Sequence, residues 1–288
     1  IYLHLENSYG RENTTSYLES CFKKPPLSIK VNTCKISVEE LRNRLESKGI
    51  TVGQNSLCKN VLELCSTGGI TQLDEFKEGF FHVEDAACAL CCEALDIRAG
   101  ELVLDACAAP GGKSFTLAEA ANDCAEIVSA DLYEHKIKLI EEGAKRLGLC
   151  SVKALKNDGT KFNPDLGSFD KILCDVPCSG LGIIRKKPEI RYKSETNLDI
   201  FPQIQYNILH ICSMYLKKRG ILVYSTCTLN PKENGEIVAK FLENHKDFEP
   251  LKIFSQISRN IDEPENELTL FTGKNPCDGF FISAFRKV

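Results

Sequence analysis

The sequence predicts an α/β fold with an open, mostly parallel sheet, preceded by a small α+β module. From about residue 98 onward, strand-like apolar runs alternate with helical stretches, which is typical of parallel strands joined by crossover helices. Residues 25–80 hold shorter mixed elements, and residues 1–24 read as a helical or linker segment. We therefore expect a segment at 1–24, a module at 25–80 and a larger domain at 81–288.

The small module is expected to contain three short strands and one capped helix. The candidate strands cover residues 27–32, 61–64 and 70–73. Ser37, followed three residues later by Glu40, is a capping box that predicts a helix ending at Gly49.

The larger domain is expected to contain five strands and a long helix. The strands cover 101–105, 126–131, 152–156, 170–175 and 220–225. The helix covers 202–218, because apolar residues recur there at helical spacing and Pro202 suits its first turn. Acidic residues close or follow four successive strands, at Asp105, Asp131, Asp158 and Asp175. Since ligands of open α/β sheets bind at the carboxyl ends of strands, we interpret these carboxylates as ligand-directed.

The composition excludes several classes of protein. The 288 residues carry a formal net charge of −4, so any nucleic-acid contact must come from a local basic patch. No apolar run approaches the roughly 18 residues of a membrane helix. Fifteen cysteines, an odd number, favour a reduced, cytoplasmic compartment over a disulfide framework. Cys88 and Cys91 form a C-x2-C pair with no second pair at a suitable spacing, so no metal site is expected.

Small residues fill the segment 107–113 after the first strand of the domain, and they let a backbone approach a ligand closely. Three interpretations compete. G-K-S at 112–114 is typical of a P-loop for ATP, but Cys107 stands where a P-loop has its first glycine. A dinucleotide site needs G-x-G-x-x-G, which is absent. The third is an S-adenosylmethionine (SAM) site, in which Asp131, 18 residues after Lys113, accepts both ribose hydroxyls.

Two cysteines follow strands, Cys178 in C-D-V-P-C-S-G and Cys227 in S-T-C-T. If those strands are neighbours, about 5 Å apart, the thiols lie within roughly 10 Å of one another. A thiolate that adds to carbon 6 of cytosine activates carbon 5 toward a methyl donor, and a base then removes the carbon 5 proton. Asp175, if it is protonated or shares a proton, would offset charge at N3 of the ring, and positive Lys113 would lower the pKa of the attacking thiol. This chemistry does not decide which thiol attacks.

These segments resemble the NOL1/NOP2/Sun family of RNA cytosine-C5 methyltransferases, most closely its bacterial 16S ribosomal RNA members. The resemblance covers about residues 25–288 and rests on D-A-C-A-A-P-G-G-K, D-V-P-C-S-G, Y-S-T-C-T-L-N-P, D-G-F-F and P-L-S-I-K-V-N. It implies a class I SAM-dependent methyltransferase with a Rossmann-like sheet, and an RNA-recognition-like module before it. The bacterial members often carry a helical NusB-like domain upstream, which we expect this chain to lack.

The resemblance also implies roles for single residues. Cys227 is expected to attack carbon 6, and Cys178 to assist release of the methylated product. DNA cytosine methyltransferases use a Pro-Cys where Cys178 stands, so the swapped assignment stays open. The residues expected to contact SAM are Cys107, Ala108, Ala109, Pro110, Gly111, Gly112, Lys113, Asp131, Asp158 and Asp175.

A basic run directly after the Cys178 turn is the candidate RNA contact. Basic side chains bind phosphate, and an exposed tyrosine can stack on a base. The candidates are Arg185, Lys186, Lys187, Arg191, Tyr192 and Lys193, and Lys23, Lys24 and Lys30 would extend the same track. The alternatives are a solvated charged loop and, for the chain as a whole, a non-catalytic RNA-binding assembly factor. The sequence leaves the oligomeric state open.

Overall fold

Two compact units make up the chain in the computed structural model, which describes residues 2–65, 68–192, 199–252 and 266–288. One unit comprises residues 26–158, and the other comprises residues 1–25 together with 159–288. The bounds expected from the sequence, 1–24, 25–80 and 81–288, stay a prediction. Among the described residues, no helix has the length and apolar character needed to span a bilayer.

Helices and strands alternate along most of the described chain. The helices are α1 (Tyr2–Ser20), α2 (Val38–Ser47), α3 (Asp74–Lys77), α4 (Ala86–Glu93), α5 (Gly112–Ala120), α6 (Glu134–Leu147), α7 (Phe201–Tyr215) and α8 (Gly235–Asn244). The strands are β1 (Leu27–Val31), β2 (Thr51–Gln54), β3 (Val61–Cys65), β4 (Phe81–Val83), β5 (Leu102–Asp105), β6 (Glu126–Asp131), β7 (Val152–Lys156), β8 (Phe169–Asp175), β9 (Leu216–Thr226), β10 (Phe248–Pro250), β11 (Glu267–Leu270) and β12 (Phe280–Lys287).

A four-stranded antiparallel sheet in the order β2-β3-β1-β4 begins the unit 26–158. Helix α2 starts at the predicted cap, where the Glu40 backbone N–H donates to Ser37 Oγ at 3.1 Å. Leu41 and Leu45, one helical turn apart, are fully buried in a cluster with Ile29 of β1. The predicted α+β module is therefore present, with its core between α2 and the sheet.

Three parallel strands with crossover helices complete this unit. Strand β6 pairs with β5 on one side and with β7 on the other, both in parallel. Helix α5 connects β5 to β6, and helix α6 connects β6 to β7. Parallel pairing brings the carboxyl ends of the strands to one edge, so Asp105 and Asp131 end neighbouring strands there.

A mixed sheet organises the unit formed by 1–25 and 159–288. Strands β8 and β9 are parallel neighbours, with Asp175 opposite Ser225. Strand β12 runs antiparallel to β9 and also pairs with β10 and β11. Six of its eight residues are buried, which explains why its sequence is nearly continuous in apolar residues.

Two element predictions are wrong. Residues 70–73 do not form a strand; Ile70–Gln72 is a short 3-10 helix with no buried residue, and a short apolar run does not by itself distinguish these states. The helix expected over 202–218 ends at Tyr215, and its basic tail lies in β9 instead. There Lys217 Nζ pairs with Asp170 Oδ1 at 2.9 Å, a cross-strand contact that the local pattern did not reveal.

A buried network of four ionisable side chains joins the antiparallel sheet to helix α5. Lys30 Nζ lies 2.8 Å from Glu119 Oε2, and His82 Nδ1 lies 3.5 Å from Glu119 Oε1. His82 Nε2 lies 3.7 Å from Glu84 Oε2 on its other side. Each of these side chains is at most 7% exposed. The expectation that Lys30 contacts RNA is therefore wrong, because its ammonium group is enclosed in an ion pair.

The network keeps His82 protonated at neutral pH. Burial alone would lower the pKa of His82, but its contacts with Glu119 and Glu84 outweigh burial and raise that pKa from 6.5 to about 9. Because the pKa is higher in the folded state, the imidazolium stabilises the fold fully below about pH 6.5. That contribution, about 3 kcal/mol, is lost as the pH rises through 9.

Replacing His82 therefore changes how stability depends on pH. We expect His82→Gln to have a lower free energy of unfolding than the wild type at pH 6. The difference between the two should shrink by about 3 kcal/mol by pH 10, since the wild-type imidazole is then neutral. Denaturant titrations at a series of pH values measure this, with the exposed His135→Gln as matched control. A difference that stays constant with pH would contradict the protonated network.

Candidate active site

The small-residue loop between β5 and α5 has a shape that only glycine permits at one position. Gly111 has a φ of +113°, and a Cβ there would lie 2.4 Å from the ring of Phe115. Ser114 Oγ donates to Asp105 Oδ2 at 2.7 Å, which holds the first turn of α5 against the end of β5. The loop therefore presents the N-terminus of α5, the positive end of the helix dipole, beside the strand ends.

Ser114 also decides against the P-loop interpretation of G-K-S. In a P-loop this hydroxyl binds Mg²⁺. Here Ser114 is fully buried, and its hydroxyl donates to Asp105 while accepting from Ser129 Oγ at 2.8 Å. The hydroxyl is thus engaged inside the protein, where it cannot reach a phosphate-bound cation.

The carboxylate at the end of β6 contacts the same loop. Asp131 is buried at the end of β6, where its Oδ2 accepts from the Ala109 backbone N–H at 3.2 Å and its Oδ1 accepts from the Tyr133 backbone N–H at 3.3 Å. Asp158 follows β7 and is half-buried. Small residues that permit close approach, together with carboxylates for ribose hydroxyls, fit the demands of SAM.

The predicted SAM residues thus divide between the two units. The loop residues 107–112, Lys113 at the start of α5, Asp131 and Asp158 belong to the unit 26–158, at the carboxyl ends of three successive parallel strands. Asp175 belongs to the other unit, at the end of β8, where it accepts a hydrogen bond from Ser225 Oγ at 2.8 Å.

The two predicted cysteines lie together. Cys178 follows the end of β8 and Cys227 follows the end of its parallel neighbour β9. Their Sγ atoms are 3.2 Å apart, and both are half-buried thiols that form no disulfide. The predicted convergence of the two sulfur atoms is confirmed, and the spacing is close enough for one thiol to donate a hydrogen bond to the other.

Two glycines hold the loop after Cys178 against the loop after β9. The Gly182 backbone N–H donates to the Cys227 carbonyl oxygen at 2.9 Å, and the Gly279 N–H donates to the Gly182 carbonyl oxygen at 2.9 Å. A Cβ on Gly182 would lie 2.0 Å from the Gly279 oxygen and 2.8 Å from the Cys227 oxygen. The three backbone segments pack this closely only because neither glycine has a side chain.

A buried carboxylate, Glu233, joins the same two loops. Its Oε2 accepts from the Ser179 backbone N–H at 2.8 Å and from Gln205 Nε2 at 2.9 Å. Its Oε1 accepts from Asn230 Nδ2 at 2.8 Å, and the residue is 0% exposed. The sequence interpretation missed Glu233. An acidic residue shortly after a candidate catalytic cysteine is the signal that would have found it.

The environment keeps Cys178 protonated. Its hydrogen bond with Cys227 and its burial raise the pKa of the Cys178 thiol well above its ordinary value, and the negative charges of Glu233 and Asp175 raise it further. At neutral pH Cys178 is therefore a proton donor that faces the sulfur of Cys227.

The predicted RNA residues differ in their contacts and exposure. Arg185 Nε pairs with Asp278 Oδ1 at 2.9 Å and its side chain is 12% exposed, while Lys186 Nζ lies 2.6 Å from Asp278 Oδ2 and its side chain is 32% exposed. Lys187 and Tyr192 are exposed, and Tyr192 is 84% exposed. Arg191 is half-buried, and its guanidinium lies over the ring of Phe22. Lys193 lies outside the described residues.

The alternation of strands and helices, the small-residue loop after β5 and the acidic strand ends define the Rossmann-like fold that is typical of class I SAM-dependent methyltransferases. A family model described as 16S rRNA methyltransferase RsmB/F matches residues 92–286. A second model, described as the Methyltr_RsmF/B-like ferredoxin-like domain, matches residues 1–71. The chain belongs to the 16S rRNA methyltransferase RsmB/F family.

Individual relatives agree with this assignment. The chain is 36% identical over 287 residues to a Bacillus subtilis (strain 168) protein named "Probable ribosomal RNA small subunit methyltransferase B", and 33% identical over 289 residues to a Synechocystis protein of the same name. These matches cover 98% of this chain, but only 64% and 65% of the relatives' lengths. A crystal structure of a methyltransferase homologue from Pyrococcus horikoshii superposes with a TM-score of 0.85 at 30% identity, over 99% of this chain and 93% of that one. The predicted fold class and family resemblance are confirmed.

Adding a methyl group at Gly182 should push the thiol loops apart. We expect Gly182→Ala to lower the free energy of unfolding by about 1–3 kcal/mol, because the new Cβ overlaps two backbone oxygens. Capture of the Cys178–Cys227 pair by a trivalent arsenical, which needs two adjacent thiols, should fall about tenfold or more. Peptide mapping measures the capture. Gly53→Ala, whose Cβ would have only ordinary contacts at 3.7 Å, serves as control, and equal capture in both variants would contradict the packing argument.

Removing Cys227 should make Cys178 easier to ionise. In the wild type, we expect alkylation of Cys178 by iodoacetamide to rise only at a pH well above the usual titration range of a thiol, because its pKa is raised. In Cys227→Ala the midpoint should move to lower pH, since the hydrogen bond that contributes most is gone. Mass spectrometry of the alkylated peptides reports the midpoint, with exposed Cys150 as internal reference. An unchanged midpoint would show that burial alone sets this pKa.

Proposed function

We propose that this chain transfers a methyl group from SAM to carbon 5 of a cytosine in RNA, with 16S ribosomal RNA as the substrate. The observation that supports this most is the pair of thiols 3.2 Å apart at the ends of neighbouring parallel strands. A single thiol near a ligand site is usually structural in a chain with fifteen cysteines. Two thiols that face each other suit a reaction in which one sulfur adds to the base and the other thiol later assists the release of that sulfur from the product.

The proposed reaction begins with addition of the Cys227 thiolate to carbon 6 of cytosine. The bond between sulfur and carbon 6 makes carbon 5 nucleophilic, and a proton shared between Asp175 and N3 would offset the negative charge on the ring. Bound SAM would supply the methyl group as an electrophile on its sulfonium. A base then takes the proton from carbon 5, the bond between carbon 6 and Cys227 breaks, and Cys227 leaves as a thiolate. We assign to Cys178 the assistance of this last step.

The raised pKa of Cys178 fits this division of labour, in which Cys178 keeps its proton. A thiol whose pKa is raised is a poor nucleophile at neutral pH, because the thiolate is the attacking form. Its proton instead stabilises negative charge on the sulfur of Cys227, which faces it. We propose that Lys113 adds positive potential for the same thiolate.

For SAM we propose contacts with two sets of residues. The loop residues Cys107, Ala108, Ala109, Pro110, Gly111 and Gly112 would approach the methionine part closely, with Lys113 beside them. Asp131 would accept the ribose hydroxyls, and Asp158 and Asp175 would contact the remaining polar groups. The hydrogen bond from Ala109 to Asp131 supports this, because it holds the carboxylate beside the loop.

The RNA partner is proposed from chemistry and from the relatives' names. Lys187, Arg191 and Tyr192 would bind phosphate and stack on unpaired bases, and Lys193 would continue the basic run. The small-subunit ribosomal RNA is the substrate class in the names of the Bacillus subtilis and Synechocystis proteins. A cytoplasmic location suits a site built from two reduced thiols.

Variants of the two cysteines test the reaction. We expect Cys227→Ala to reduce methylation of unmethylated 16S rRNA to background and to form no covalent RNA–protein adduct, since nothing adds to carbon 6. Cys178→Ala should accumulate the adduct, because release is slowed. Denaturing gels of labelled RNA show the adduct, and bisulfite sequencing shows the methylated cytosine.

Calorimetric titration with SAM provides the control for this experiment. Both cysteine variants and the matched exposed variant Cys150→Ala should bind SAM as the wild type does. An adduct in Cys227→Ala but not in Cys178→Ala would reverse the roles. Failure of the wild type to bind SAM would favour a non-catalytic RNA-binding factor instead.

A further inference from the structure

The end of helix α1 packs against the loop that follows Cys178. Tyr17 and Cys21 belong to a buried cluster with Leu181, Ile184 and Ile190. The Tyr17 hydroxyl donates a hydrogen bond to the Leu181 carbonyl oxygen, and Tyr17 is 1% exposed. The chain directly after Cys21 is therefore held at a fixed place beside the loop that connects Cys178 to the basic run.

An exposed aromatic ring stands at this place. Phe22 follows buried Cys21 and is 81% exposed. The guanidinium of Arg191 lies 5.4 Å from the centroid of its ring, and the neighbouring Tyr192 is 84% exposed. One exposed apolar side chain is common on protein surfaces. Here a largely exposed phenylalanine ring is contacted by an arginine, and a second exposed aromatic side chain is next to that arginine in the sequence. This arrangement is typical of surfaces that stack bases.

The charge around these rings identifies the ligand. Lys23 and Lys24 directly follow Phe22, Lys187 precedes Arg191, and all three lysines are exposed. The chain as a whole carries a net charge of −4, so this positive surface is local. Planar rings for stacking, with cations for phosphates, match single-stranded nucleic acid. They match a duplex less well, because its bases are already stacked.

We propose that Phe22, together with Arg191 and Tyr192, forms a stacking platform for an unpaired base of the substrate RNA next to the target cytosine. This inference rests on the proposed function for the nature of the RNA. Arg191 has two roles there, since its guanidinium covers one face of the Phe22 ring and its charge attracts the backbone. The platform extends the RNA surface beyond the basic run to the end of helix α1.

Fluorescence anisotropy with a labelled single-stranded RNA of mixed sequence tests the platform. We expect Phe22→Ala to raise the Kd about 5- to 100-fold, which is the loss of one base–aromatic stack. Phe22→Trp should restore binding to near the wild-type Kd, because an indole also stacks. Leu3→Ala, which removes another exposed apolar side chain (71% exposed) from α1, should leave the Kd unchanged.

Salt dependence separates stacking from charge. Phe22→Ala should keep the slope of log Kd against log salt concentration, whereas Arg191→Gln should reduce it by about 0.7, the contribution of one phosphate contact on a single strand. Cross-linking of RNA that contains 4-thiouridine should yield a labelled peptide that includes Phe22. A cross-linked peptide from elsewhere only, or a Phe22→Ala Kd equal to that of the wild type, would overturn the platform.

The outcomes for the platform and for the proposed function are distinct. The wild type could bind RNA without methylating it while Phe22→Ala loses RNA affinity. That pair of results would support the platform and refute the proposed methylation. Methylation that proceeds with an unchanged KM for RNA in Phe22→Ala would refute the platform alone. If Phe22→Ala changes binding to a protein partner but not to RNA, the surface is a protein interface and the proposal fails.

Discussion

The parallel pairing of β8 with β9 is the constraint on which the thiol site depends. Cys178 and Cys227 are 49 residues apart in the sequence, and neither local sequence contains a reason for them to meet. Because the strands run in the same direction, with Asp175 opposite Ser225, both chains leave the sheet at the same edge. An antiparallel pair would have sent the two cysteines to opposite ends of the sheet.

The pairing of β8 with β9 brings the two cysteine loops to one edge of the sheet. Hydrogen bonds to Glu233 then fix the distance between these loops. Its two oxygens accept three hydrogen bonds. The donors are Ser179 in the loop after Cys178, Asn230 in the loop after β9 and Gln205 on helix α7. A buried carboxylate is costly unless such donors surround it, and each buried donor left without a partner would cost about 1–3 kcal/mol. The donors and the acceptor therefore hold each other in place. Thiols presented by loops anchored in this way are already positioned before a substrate arrives.

The sequence predicted features that depend on neighbouring residues better than features that depend on residues far apart in the chain. Strands β6 and β7 have the predicted bounds, and the Ser37 cap is where it was expected, because each follows from residues a few positions apart. The convergence of the thiols was predictable only through the rule for strand ends. Lys30 was misjudged because its partner, Glu119, is 89 residues away. A lysine that is bound to a distant carboxylate has the same local sequence as one that faces solvent.

The basic residues that follow the Cys178 turn do not all have the same function. Asp278, 93 residues after Arg185, pairs with Arg185 and contacts Lys186, so it offsets their positive charge, and the Arg185 pair anchors the loop. Lys187 is exposed, and Arg191 is half-buried against the ring of Phe22. Without Asp278, the charge of these two cations would not be offset and the loop after Cys178 would lose an anchor. One carboxylate thus both positions the loop and limits its positive charge, which lets an acidic protein present a compact basic surface beside its thiols.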